Sequence, residues 1–133
     1  MTTITVYTLD SGVICGYEAV GHGGGKRIRG YDLVCCAVSA LTQTGVNALC
    51  AVAGVEPDVQ VKDGYLRCIL PESLTEKRTA DAQIIFRTIM TGLTDIQKIY
   101  PTLVRIQHRE WRQADAYDES SALRSSEGHR FFP

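Results

Sequence analysis

The stretch Val59-Gln60-Val61-Lys62-Asp63-Gly64-Tyr65-Leu66-Arg67-Cys68-Ile69-Leu70 folds back on itself. Asp-Gly between two apolar, β-branched runs is a strong short-range hairpin signal, because the tight turn needs residues that tolerate positive φ. A two-residue turn at Asp63-Gly64 pairs Val61 with Leu66 and Val59 with Cys68. That register puts Val59, Val61, Leu66, Cys68 and Leu70 on one face. Turn chemistry and hydrophobic register therefore agree. Cys68 reads as a small core residue.

Upstream of this hairpin, residues 32–52 carry a helical stripe of Val34, Val38, Leu41, Gly45, Leu49 and Val52. Cys35, Ser39 and Thr42 lie on a neighbouring face, one above another. Gly45 in a helix interior costs about 1 kcal/mol relative to Ala, so close packing is expected there. Gly54 is the expected stop. Downstream, Ser73-Leu74-Thr75-Glu76 fits a capping box. A second helix follows, striped by Ala82, Ile85, Phe86, Ile89, Leu93, Ile96 and Tyr100, and Pro101 ends it. Residues 102–107 read as a short last strand.

At the start of the chain, residues 2–9 alternate around Ile4, Val6 and Thr8, a strand pattern. Asp10-Ser11-Gly12 is turn chemistry. Residues 13–22 read as a second strand, with Ile14, Gly16, Glu18, Val20 and His22 on one face. The order β-β-α-β-β-α-β predicts an α+β, two-layer sandwich: one mostly antiparallel sheet with two helices on one face. Residues 1–112 make one domain. Residues 113–133 are polar, lack an apolar stripe, and read as a flexible C-terminal tail.

The chain has 133 residues, which suits one domain, and 44% hydrophobic residues, enough for a core. A formal net charge of -1 gives no electrostatic case for nucleic acid or an acidic membrane surface. The basic run at residues 26–29 reads as a solvated loop. The N-terminus shows no signal peptide, and no apolar run looks long enough to cross a bilayer. Five cysteines, an odd number without framework spacing, point to reduced thiols and a cytoplasmic protein. No CxxC is present, so no metal site is expected, and Gly23-Gly24-Gly25 lacks the phosphate-loop and dinucleotide fingerprints, so no cofactor is expected either.

The chemistry concentrates in Gly21-His22-Gly23-Gly24-Gly25-Lys26-Arg27-Ile28-Arg29-Gly30-Tyr31-Asp32-Leu33-Val34-Cys35-Cys36. Asp32 is a good N-cap residue. Cys35 is then the third helical residue, near unpaired amides and the positive end of the helix dipole, where a thiolate is favoured over a thiol. Gly23, Gly24, Gly25 and Gly30 make a mobile loop that can bring His22 beside it. A cysteine with a histidine base is the minimal set for nucleophilic catalysis. Taken alone, the spacing also suits a buried, inert cysteine and a loop histidine. Cys36 points about 100° away around the helix and reads as packing. Ser39, one turn after Cys35, either supports the site or bonds back to the helix carbonyls. His108 and His129 lack neighbouring motifs, and Trp111 reads as a packing or interface residue.

Gly21-His22, a glycine-containing loop, and Gly30-Tyr31-Asp32-Leu33-Val34-Cys35-Cys36-Ala37-Val38-Ser39 together resemble the signature of the ribosomal-processing cysteine protease (Prp) family. Val46-Asn47-Ala48-Leu49 and Asp81-Ala82-Gln83-Ile84-Ile85 extend the likeness over most of the chain before residue 113. Cys36 stands where that family commonly has Ala. The resemblance implies a small cytoplasmic homodimer without cofactor. Its implied activity is that of a cysteine endopeptidase needed for ribosome assembly. It would remove the N-terminal extension of the precursor of large-subunit ribosomal protein twenty-seven, cutting after a Phe-Phe pair. It implies His22 and Cys35 as the catalytic pair, with Asp32 and Ser39 as supporting positions. The alternative is a non-catalytic module that binds a peptide or ribosomal protein. Neither reading involves direct contact with nucleic acid or a membrane.

Overall fold

The computed structural model describes residues 1–21, 27–28 and 31–112. The first hairpin is β1 (Thr2–Thr8) and β2 (Ile14–Val20), joined through Gly12 at φ 87°. A two-stranded ribbon follows, β3 (Arg27–Ile28) with β4 (Tyr31–Asp32), running directly into α1 (Leu33–Ala51). Part of the segment expected to be loop is therefore paired strand. The second hairpin is β5 (Asp58–Lys62) and β6 (Tyr65–Ile69), then come α2 (Glu76–Ile99) and β7 (Val104–Glu110). The Asp63-Gly64 turn has the expected register, with Val61 opposite Leu66, Val59 opposite Cys68, and Gly64 at φ 69°.

The main sheet has the order β5-β6-β2-β1-β7. Every pairing is antiparallel except β1 with β7, which is parallel. The connectivity explains the arrangement. The segment β2-α1-β5 crosses over β6 in one direction, and β6-α2-β7 crosses over β2 and β1 in the other. Because β2 and β6 run oppositely, right-handed crossovers put both helices on the same face. This is the expected two-layer α+β sandwich, its sheet mostly antiparallel with one parallel pair.

Between the layers lie Ile4, Tyr17, Leu49, Phe86, Leu93 and Val104, all fully buried. Tyr17 meets Phe86 edge to face at 5.9 Å between ring centroids. Its hydroxyl donates to the Thr42 carbonyl at 2.6 Å. Gly45 makes room for that hydroxyl, since a Cβ there would collide with it, and this repays the helix-propensity cost of the glycine. Gln83 on α2 ties helix to sheet: its amide nitrogen donates to the Ile14 carbonyl (2.7 Å) and its amide oxygen accepts from the Ile14 N–H (2.8 Å). These are backbone groups beside the irregularity where β1 and β2 shift register, at Tyr7/Thr8.

Several local expectations change. The N-cap of α2 is Thr75, whose hydroxyl accepts from the Arg78 N–H at 3.2 Å. Ser73 and Glu76 form no capping box, because the helix begins after Thr75. Val52 is the C-cap of α1 and is 74% exposed, while Thr42 takes a buried place instead. The last strand runs on to Glu110, so His108 lies within it, opposite Val6. At 19 residues, α1 is also long and apolar enough by composition to span a bilayer. Its stripe of Val34, Val38, Thr42, Gly45, Val46 and Leu49 is buried within the fold.

The opposite face of the sheet carries a smaller cluster of Tyr7, Cys15 and Ile69, with Trp111 packed on it. The Trp111 ring meets Tyr7 edge to face at 4.9 Å, and the buried Arg67 guanidinium lies 4.6 Å from its centroid. Trp111 is thus the packing residue expected. The flexible-tail expectation for 113–133, and His129 within it, lie outside the described residues.

Candidate active site

The helix that bears Cys35 starts where Asp32 ends the ribbon. Asp32 has extended backbone (φ -84°, ψ 113°) and is the N-cap of α1. Its Oδ1 accepts from the Cys35 N–H at 3.1 Å. Capping satisfies one of the amides that a helix start leaves without an intrahelical partner. Asp32 and Cys35 therefore stand together as the sequence implied.

Cys35 lines a groove of about 280 Å³. Val38, Ser39, Thr42 and Gln43 continue its α1 wall. The sheet contributes Thr2 and Ala19, and the β5–β6 turn contributes Lys62, Asp63, Gly64 and Tyr65. Gly21 also lines the groove. Its φ is 109°, and a Cβ there would collide with the Met1 carbonyl oxygen. Its N–H donates to the Gly64 carbonyl at 2.8 Å. Only glycine meets both demands, left-handed backbone and close approach. The chain is thereby held between the start of β1 and the tight turn at the point where it leaves for residue 22. His22 itself, with Gly23, Gly24, Gly25 and Gly30, lies outside the described residues.

The five cysteines differ sharply in setting. Cys15 and Cys68 are buried, Cys35 is half-buried, and Cys36 and Cys50 are exposed. Burial pushes the Cys15 thiol up to about 11, and raises that of Cys68 as well, by desolvation first. A thiol held protonated in this way is a poor nucleophile. Cys36 is absent from the groove wall, as its position about 100° around the helix from Cys35 requires. A larger hollow of about 480 Å³, lined by Leu9, Val13, Ile69 and Trp111, contains only Cys15 as a thiol. Among the described residues, no three His, Cys, Asp or Glu side chains are placed to hold a metal ion.

Thr2, Gly21 and the Asp63-Gly64 turn are parts of the groove that the sequence did not mark as such. Thr2 and Cys35 are far apart in the chain and meet through sheet order. Strand periodicity carries no signal for that. Gly21 did carry one: a glycine closing a strand is a candidate for positive φ.

The model of the family described as "Cysteine protease Prp" matches residues 1–105. The ribosomal processing cysteine protease Prp of Bacillus subtilis is 32% identical over 99 residues, spanning 73% of this chain and 87% of the relative. A crystal structure of the Staphylococcus aureus ribosomal processing protease Prp, in complex with a covalently linked product peptide, superposes with a TM-score of 0.72. It is 24% identical and covers 82% of this chain and all of that one. A Streptococcus mutans crystal structure, 28% identical, covers 84% and 96% of the two chains at a TM-score of 0.69. With the family match running through the sheet, both helices and the groove, the chain belongs to the Prp family of cysteine proteases.

Proposed function

We propose that the chain is the endopeptidase that removes the N-terminal extension from the precursor of large-subunit ribosomal protein twenty-seven, cutting after a Phe-Phe pair. Cys35 is its nucleophile and His22 its base. The observation that carries this reading is the placing of one half-buried thiol, Cys35, on the wall of a groove at the capped start of α1. The covalently linked product peptide of the Staphylococcus aureus relative supports it by analogy.

The chemistry is acyl transfer through a thioester. His22 takes the proton of the Cys35 thiol, and the sulfur attacks the scissile carbonyl carbon. As the C–N bond breaks, His22 returns the proton to the departing amine. Water, deprotonated by His22, then attacks the thioester, releasing the new carboxyl end and restoring the thiol. The Cys35 amide is engaged by Asp32 in the resting state. Oxyanion stabilisation by that amide would require it to leave the cap. Asp32 holds the helix start, and Ser39 sits one turn along the same wall.

The protein acts in the cytoplasm as a homodimer. Sedimentation of the purified chain tests the second statement, with a dimer mass expected. The functional test is cleavage of the extended precursor, with the new N-terminus sequenced. A peptide-like thiol-reactive inhibitor should add one label, mapping to Cys35. Peptide binding without cleavage would favour the non-catalytic binding module instead.

A further inference from the structure

Two threonine side chains are almost wholly buried along the Cys35 groove, and their hydroxyls differ. Thr42 is 2% exposed, and its Oγ1 donates back to the Val38 carbonyl at 3.0 Å. Thr2 is 3% exposed, and its Oγ1 is withdrawn from solvent with no hydrogen-bond partner among the described residues. The backbone of Thr2 is well satisfied by comparison, its N–H donating to the Leu103 carbonyl at 2.8 Å.

A buried hydroxyl without a partner is unfavourable, and valine has nearly the same shape without that cost. Packing therefore does not account for a threonine at the first position of β1. A groove that accepts a peptide does. Each residue of a peptide drawn out of water brings a carbonyl that needs a donor. A threonine hydroxyl supplies one, and a χ1 rotation exchanges its hydroxyl and methyl directions. Because Thr2 Oγ1 makes no bond to a described residue at rest, turning it toward a ligand breaks none among them.

We propose that Thr2 is a substrate-binding residue whose hydroxyl donates to a backbone carbonyl of the peptide seated in the Cys35 groove. The assignment rests on the proteolytic reading of that groove. It predicts a contribution to binding rather than to the bond-breaking step, because no acid–base role falls to this hydroxyl.

The test compares the full chain with Thr2→Val and Thr2→Ser, using one extended precursor peptide. Cleavage gives KM and kcat, and fluorescence anisotropy on a Cys35→Ala background gives Kd without turnover. Thr2→Val should raise KM and Kd about fivefold to tenfold, the worth of one neutral hydrogen bond. Its kcat should stay within about twofold, and its melting temperature should equal or exceed the parent's. Thr2→Ser should bind like the parent. Unchanged Kd in Thr2→Val would overturn the assignment alone. So would equal weakening in both variants, which marks packing, or loss of fold in Thr2→Val, which marks a structural partner. A parent that neither binds nor cleaves the peptide would overturn the proteolytic reading along with it.

Discussion

The carboxylate of Asp32 accepts a hydrogen bond from the backbone N–H of Cys35 at 3.1 Å, so the cap of α1 and the candidate nucleophile are held by one contact. Asp32→Ala should cost about 1 kcal/mol of stability through the lost cap. It should also slow precursor cleavage by loosening the turn that aims the sulfur. Asp32→Asn keeps an acceptor oxygen and should keep most of the stability. Urea denaturation and cleavage rates of the two variants, side by side, check both halves.

Cys35 and Cys36 are neighbours in the chain but differ in setting. Cys35 lines the groove, and Cys36 is exposed on another face of α1. Cys35→Ala should abolish single-turnover cleavage with the fold intact by circular dichroism. Cys36→Ala should retain most activity. The reverse pattern would overturn the nucleophile assignment.

Gln83 makes two hydrogen bonds to the backbone of Ile14, across the two layers of the fold. Gln83→Ala leaves both backbone groups without that partner and should cost about 1–3 kcal/mol. Gln83→Glu keeps an acceptor for the Ile14 N–H but loses the donor to its carbonyl. It should fall between parent and Gln83→Ala in urea midpoint. Gln83 is not part of the groove wall, so kcat of the folded fraction should be unchanged.

Cys15 should contribute to the alkaline limit of stability. Burial pushes its thiol from an ordinary value of 9.0 up to about 11 in the folded chain. The unfolded chain therefore loses that proton first. Stability should be fully present below pH 9 and decline as pH rises through 11. Cys15→Ala removes this contribution, so its decline over that window should be shallower than the parent's. Urea titrations at pH 8, 9.5 and 11 under reducing conditions measure the difference. A decline of the same slope in both proteins would assign the alkaline loss to other groups, such as Tyr65, whose phenol burial raises to about 12.

What could be read along the chain was what depends on near neighbours. The Asp63-Gly64 turn and its register are decided within a few residues, because turn geometry and side-chain alternation agree there. Asp32 as N-cap, Gly54 beyond the end of α1, and the Ala82–Ile85–Phe86–Ile89–Leu93 stripe of α2 are legible for the same reason. That Cys35 rather than Cys36 stands beside the Asp32 cap and on the groove wall follows from the cap position and the helix phase, both of them local. The capping of α2 departs from the local signal because Ser73 and Thr75 are both good caps, and local preference does not rank them.

Tertiary structure decided the rest. Which strand lies beside β1, and that β7 joins it in parallel, depends on the crossover of α2 and not on any local pattern. That pairing extends β7 to Glu110 and brings Trp111 over Arg67 and Tyr7. The groove is likewise a product of assembly. Thr2, Gly21, Cys35 and the Asp63-Gly64 turn come from four separate stretches, and only sheet order and helix packing set them around one space. A one-dimensional pattern records which face a side chain takes within its own element. It does not record which other element will be waiting there.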